Sequence, residues 1–259
     1  MLAREIKEKM LRGEPTIGTW MSLAHPSIAE ILAMAGYDWV VIDTEHSCID
    51  VSEVLRLIIA VEQRGSIPLV RLAGIDPIQA KAALDAGAAG VLVPMVNRKT
   101  DAEMAVQMTK YPLLGSRGAC LARAQGYGEN FDLYMQNANA DTLLILQIEH
   151  KDAVANIEDI LSVPGIDGTF IGPYDLSLSL GIPGQLNHTD MLAAKRKVRD
   201  ATIAHGLVSG VHLVQPNTAA EDCRQAITEG YRFIALGTDI LFLGDNARDL
   251  QKKASQYNE

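Results

Sequence analysis

The chain has 259 residues, 48% of them apolar and 21% charged, which is enough for a sizeable buried core and too apolar for disorder. Lys and Arg number 23 against 32 Asp and Glu, a net charge of −9 that argues against nucleic acid or an anionic membrane as partner. Apolar runs such as 39–42 fall far short of the roughly 20 residues of a spanning helix, and three cysteines (Cys48, Cys120, Cys223) without metal-like spacing read as small apolar fillers in a reducing, cytoplasmic protein.

The N-terminal MLAREIKEKMLRGEP alternates charged and apolar residues and lacks the apolar core of a signal peptide. Short β-branched runs then recur at 16–21, 39–43, 68–71, 90–93, 143–148, 168–171, 208–211 and 233–237. Most are continuously apolar, the pattern of strands buried on both faces in a parallel sheet. Between them lie helical stripes: Val51, Val54, Leu55 and Ile58, then Ala220, Cys223 and Ile227, and finally Ile240, Leu243, Ala247, Leu250 and Ala254. Gly36, Gly87 and Gly230 each stand between a helical run and a strand. The fourth and fifth strands are separated by a long connection containing YPLLGSRGACLARAQGYG, and a connection of that length is more often functional than neutral. Eight βα units in about 250 residues predict an α/β protein, a single-domain (β/α)8 TIM barrel over residues 1–259. A doubly wound sheet fits less well, because GTWMSLAHP after the first strand has no glycine-rich nucleotide turn.

In such a barrel, chemistry sits at the carboxyl ends of the strands. The second strand ends in Asp43-Thr-Glu45-His46, the third in Arg71, the fifth in Gln147-Ile-Glu149, the sixth in Gly172-Pro-Tyr-Asp175, and the seventh runs into His212. Each also has a structural reading. Asp43 and Asp175 are candidate helix caps, Glu149 a first-turn acid, Arg71 an ion-pair partner of Asp43 or Glu45, and His46 a packed histidine. Together on one face they suit other work. Glu149 and Asp175 are hard oxygen ligands for Mg2+, Mn2+ or a similar ion. His46 beside Asp43 suits a general base, and Arg71 suits a carboxylate or enolate oxygen. No lysine ends a strand, which argues against a Schiff base; Lys151 falls on the following helix.

These segments resemble the metal-dependent class II pyruvate aldolases of the HpcH/HpaI family. The likeness runs through residues 15–245 and includes VVIDTEHS, PLVRLAGIDP, GAAGVLVPMV, ILQIEH and GIDGTFIGPYDLSLSLG. It implies reversible cleavage of 4-hydroxy-2-oxo acids to pyruvate and an aldehyde with a divalent ion (Mg2+, Mn2+ or Co2+). Carried over by motif, Glu149 and Asp175 hold the metal, His46 and Asp43 form the base dyad, and Arg71 stabilises the pyruvate enolate. Gln147 lies beside the 2-oxo acid, and backbone amides across Gly172, Pro173, Tyr174 and Asp175 receive its carboxylate. The resemblance also implies a homohexamer in which the last helix packs on a neighbouring subunit. The chain departs from the family pattern at Thr44, Ser47-Cys48 and Leu72-Ala73, and at His212, where the family carries a small apolar residue. These departures bear on the aldehyde. Two other readings share the motifs: a CoA-ester lyase of the citrate lyase β type, and a silent barrel that only binds a 2-oxo acid.

Overall fold

The computed structural model describes residues 3–256. In chain order the elements are α1 (Ala3–Leu11), β1 (Thr16–Met21), α2 (Pro26–Met34), β2 (Trp39–Asp43), α3 (Val51–Glu62), β3 (Ile67–Arg71), α4 (Pro77–Asp85), β4 (Gly90–Val93), α5 (Lys99–Thr109), α6 (Phe131–Asp141) and β5 (Leu143–Ile148). They continue with α7 (Lys151–Ala155), α8 (Ile157–Leu161), β6 (Gly168–Ile171), α9 (Pro173–Ser179), α10 (Thr189–Ala204), β7 (Val208–Leu213), α11 (Pro216–Glu229), β8 (Phe233–Thr238) and α12 (Asp239–Ser255). Every strand pairs in parallel with its neighbour in sequence, and β8 pairs with β1, so the sheet closes. The expected (β/α)8 barrel is what forms. No described helix is long and apolar enough to cross a membrane.

Strand alternation decides which residues face inward. Trp39 and Val41 of β2, Leu69 of β3, Ile145 of β5, Phe170 of β6 and Trp20 of β1 pack together inside the barrel. Their neighbours Val40, Ile42, Val70, Leu144, Leu146, Ile171 and Val211 face outward into the helix layer. Continuing the inward set by twos leads to Asp43, Arg71, Gln147 and Glu149, Gly172 and His212 at the carboxyl mouth. The interior is tight: a Cβ on Gly18 would meet the Trp39 ring, and one on Gly210 would meet Phe170 and Phe233. At the opposite end α1, which composition does not single out, buries Ile6 and Met10 beneath the barrel.

The helix stripes match less closely than the strands. In α11 the buried face is Ala219, Cys223 and Ala226, about one residue round from the expected stripe, because Ala220 points to solvent. In α12 only Asp239 is buried, and Ile240, Leu243 and Leu250 are about half exposed or more. Of the three free thiols only Cys223 is buried; Cys48 and Cys120 are exposed and fill no core. The long β4–β5 connection is partly helical, holding α5, α6 and a 3-10 turn at Arg123–Gln125. Arg117 in that connection is buried against Asp85, with its guanidinium over Tyr111.

Candidate active site

A cavity of about 280 Å³ opens at the carboxyl mouth. Asp43, His46, Arg71, Gln147, Gly172, Pro173, Tyr174, Asp175 and His212 all line it, joined by Trp20 of β1, Ser22 just after it, Thr238 of β8 and Ile240 in the first turn of α12. A larger cleft, about 680 Å³, lies on the outer wall between α10 and α11 and holds Lys195, Arg199, Asp222 and Glu229. Size alone therefore does not locate the chemistry. The inner cavity is the one at which charged residues from several strand ends converge.

Register places Asp43 of β2 directly beside Arg71 of β3. Arg71 Nε donates to Asp43 Oδ1 at 2.9 Å, Nη2 donates to Oδ2 at 2.5 Å, and Nη1 lies 3.1 Å from Glu45 Oε2. The guanidinium also stands 5.0 Å from the Trp20 ring centroid. Burial alone would raise the Asp43 pKa. The hydrogen bonds and charge of Arg71, with the backbone N–H groups of Glu45 and His46, outweigh it and hold the carboxyl below the ordinary range. Two of the five guanidinium N–H groups are committed to Asp43, so donors remain on the Nη atoms.

His46 does not pair with Asp43 through its ring, as a base dyad requires. Asp43 Oδ1 accepts the His46 backbone N–H at 3.3 Å, and its carboxylate is occupied by Arg71. The His46 ring, more than half exposed, lies instead with Nε2 3.9 Å from Asp175 Oδ2 and 4.0 Å from Glu45 Oε2. Asp43 therefore acts on His46 by fixing the backbone of the turn that carries it. Glu45 is the strand-end residue that sequence reasoning left without a role. Burial and the charges of Glu149, Asp43 and Asp175 push its carboxyl up to about 7 against the pull of Arg71. Its position two residues beyond an inward Asp was the available signal.

Glu149 is not a helix-end acid: His150 caps α7 with its own Nδ1, and Glu149 turns inward. It is 2% exposed, its Oε1 accepts the Met95 backbone N–H at 2.8 Å, and its Oε2 accepts from Gln147 Nε2. Burial raises its pKa, and the charge of Asp175 adds to the effect. Gly172 makes room for this pair, since a Cβ there would lie 2.5 Å from Glu149 Oε2 and 3.2 Å from Gln147 Nε2. Gly172, not Asp175, is the N-cap of α9, and Asp175 sits in the first turn. The expected row of backbone amides is shorter than four. The Gly172 N–H points to Ile148 O and Pro173 has none, which leaves Tyr174 and Asp175.

His212 faces the cavity from within β7, stacked on Trp20 at 4.9 Å between ring centroids. Its Nε2 lies 2.9 Å from the Gly237 carbonyl oxygen. It is thus both a cavity residue and a histidine bonded to the neighbouring strand. Burial, with Arg71 nearby, lowers its pKa to about 4. No lysine lines the cavity among the described residues.

A family model for HpcH/HpaI aldolase/citrate lyase matches residues 16–244. The chain belongs to the HpcH/HpaI aldolase/citrate lyase family. It is 36% identical to a hydroxypyruvate/pyruvate aldolase of Roseobacter denitrificans over 96% of each chain. It is 38% identical to a 4-hydroxy-2-oxo-heptane-1,7-dioate aldolase of Salmonella dublin, over 94% of this chain and 92% of the relative. Among solved structures, an HpcH/HpaI aldolase/citrate lyase family protein from Burkholderia cenocepacia superposes with a TM-score of 0.90 at 35% identity, covering 97% of this chain and 99% of that one. This HpcH/HpaI member is accordingly a carbon–carbon lyase.

Proposed function

We propose that this chain is a metal-dependent pyruvate aldolase that reversibly cleaves 4-hydroxy-2-oxo acids to pyruvate and an aldehyde. One observation carries the reading: a guanidinium with spare donors, an imidazole, Asp43 and Asp175 line one cavity with no lysine among the described residues. The donor set suits a hard divalent ion. Glu149 and Asp175 offer carboxylate oxygens, the Gln147 side-chain oxygen is buried with no partner among the described residues, and the charges of Glu149 and Asp175 oppose ionisation of Glu45. Glu149 and Asp175 would hold the ion, with Mg2+, Mn2+ and Co2+ as candidates. When bound, the ion would polarise the 2-oxo group and share the charge that develops on it.

The protein's own groups account for the rest. The amides of Tyr174 and Asp175 receive the substrate carboxylate, and Gln147 lies beside the 2-oxo acid. His46 accepts the proton of the C4 hydroxyl. As C4 becomes an aldehyde carbonyl, the C3–C4 bond breaks and its electron pair passes into the 2-oxo group as an enolate. The free Nη donors of Arg71 stabilise that oxygen. A proton from solvent then reaches C3, His46 gives its own proton back to solvent, and pyruvate leaves; the reverse sequence makes the bond. Asp43 positions both Arg71, through its carboxylate, and His46, through the turn.

A homohexamer in a reducing cytoplasm belongs to the same reading. The uncovered apolar stripe of α12 supports docking of that helix on a neighbouring subunit, and the three free thiols accord with the compartment. Pyruvate release from a panel of 4-hydroxy-2-oxo acids and acyl-CoA esters tests the assignment. Release from the hydroxy-oxo acids alone supports it, whereas release only from the CoA esters, or from neither, overturns it.

A further inference from the structure

Two aromatic rings and one imidazole also line the cavity. Trp20 stacks with Phe170 at 5.3 Å and with His212 at 4.9 Å, and Phe170 and His212 are 6.1 Å apart. Two hydrogen-bonding atoms of these rings lack a protein partner among the described residues: the Trp20 indole N–H, a donor, and one nitrogen of His212, the only acceptor of the three rings. The Nε2 of His212 is held by the Gly237 carbonyl, which accepts only, so the ring proton sits on Nε2. The strands build this contact in. Pairing of β1 with β8 runs from Gly18 opposite Ala235 to Trp20 opposite Thr238, so two residues of β8 bulge opposite Thr19. Gly237 lies in that bulge with φ of +59°, and bulges of this kind re-aim backbone groups near active sites. With Nε2 committed as donor, Nδ1 is left as an acceptor with no partner among the described residues.

Resting on the aldolase reading above, we infer that His212 is a specificity-determining residue whose Nδ1 accepts a hydrogen bond from a hydroxyl on the aldehyde fragment. The substrate class is then a hydroxyaldehyde, and its 4-hydroxy-2-oxo acid adduct carries a further hydroxyl beyond C4. At Nδ1 a carboxylated aldehyde is disfavoured, because an acceptor lone pair repels a carboxylate. Burial keeps the ring neutral near neutral pH, since its pKa is lowered to about 4. The aromatic rings supply apolar contact to either kind of aldehyde, and the Nδ1 acceptor favours the one that brings a hydroxyl donor.

The test uses purified enzyme with saturating Mg2+, pyruvate as donor and three acceptors: glycolaldehyde, propanal and succinic semialdehyde. Propanal replaces the glycolaldehyde hydroxyl with a methyl group of similar size. The readout is the ratio of kcat/KM values for glycolaldehyde and propanal within each variant, which cancels any general loss of activity. Wild type should prefer glycolaldehyde by about tenfold, the scale of one neutral hydrogen bond. His212→Phe, which keeps a ring against Trp20 and lacks the acceptor, should bring the ratio close to one. His212→Asn, which retains a polar atom near the Nδ1 position, should keep part of the preference and serves if the Phe variant does not fold. The inference is overturned by an unchanged ratio in both variants, or by a wild-type preference for succinic semialdehyde that these variants remove. If wild type forms no aldol product from pyruvate with any of the three, the aldolase reading itself has failed.

Discussion

If Arg71 stabilises the enolate as proposed, its effects on stability and on turnover should be separable. It is 7% exposed, and Asp43 beside it is 2% exposed. Arg71→Ala removes two charge-assisted hydrogen bonds to Asp43 and the 3.1 Å contact with Glu45. Asp43 then keeps only the backbone N–H groups of Glu45 and His46. Breaking a buried ion pair from one side costs about 3–5 kcal/mol. In a chain of this size that is a fall in Tm of roughly 10 °C. Turnover should drop by about 10²–10³, the cost of one donor to a developing oxyanion. Arg71→Lys restores a charge without the planar fork and should regain part of the stability and little of the rate. In the double variant Arg71→Ala, Asp43→Asn the stranded charge is gone, so Tm should recover by several degrees while turnover stays low. Thermal unfolding by circular dichroism, with pyruvate release coupled to lactate dehydrogenase, reads both. Near-normal turnover in Arg71→Ala, or turnover recovering together with Tm in the double variant, would reduce Arg71 to a structural partner of Asp43.

His46→Ala should depress aldol cleavage by about 10²–10⁴-fold while changing pyruvate binding little; steady-state cleavage and calorimetric titration with pyruvate separate the two. Gly172→Ala should weaken Mn2+ binding and activity together, because the added Cβ would lie 2.5 Å from Glu149 Oε2 and force that side chain to move; manganese titration followed by electron paramagnetic resonance checks this. Glu45 supplies a pH signature. Its pKa rises from 4.5 in the unfolded chain to about 7 in the fold, so the folded state holds the proton more tightly. Stability from this group is fully present below pH 4.5 and is lost as pH rises through 7. Without divalent ion the protein should lose of order 1–3 kcal/mol across that window, and Glu45→Gln should flatten the slope; urea unfolding at a series of pH values measures it.

The barrel was legible because buried parallel strands write themselves as apolar runs, and the edges of β2, β4, β5 and β6 fall where those runs end. The inward or outward sense of Asp43, Arg71, Gln147 and Glu149 follows from counting by twos along each strand. Lateral register is not written in any one strand, so the sequence left open whether Asp43 serves His46 or Arg71. The closed sheet decides it by setting Asp43 opposite Arg71. Asp175 looked like a cap because it begins an apolar helical run, yet Pro173 at the first helical position moves the start back to Gly172. The stripe of α11 was misplaced by one residue because alanines stand on both sides of its buried edge, and alanine contributes little contrast between core and solvent.

The proposed chemistry turns on enolate formation at a cation held by Glu149 and Asp175. Deuterium incorporation into the pyruvate methyl group in D2O, followed by mass spectrometry without any aldehyde present, tests it most directly. Exchange should be rapid with Mg2+ or Mn2+, vanish after thorough chelation and return when the ion is added back, but not return in Glu149→Gln or Asp175→Asn. Undiminished exchange after chelation, with borohydride trapping pyruvate on a lysine, would contradict it.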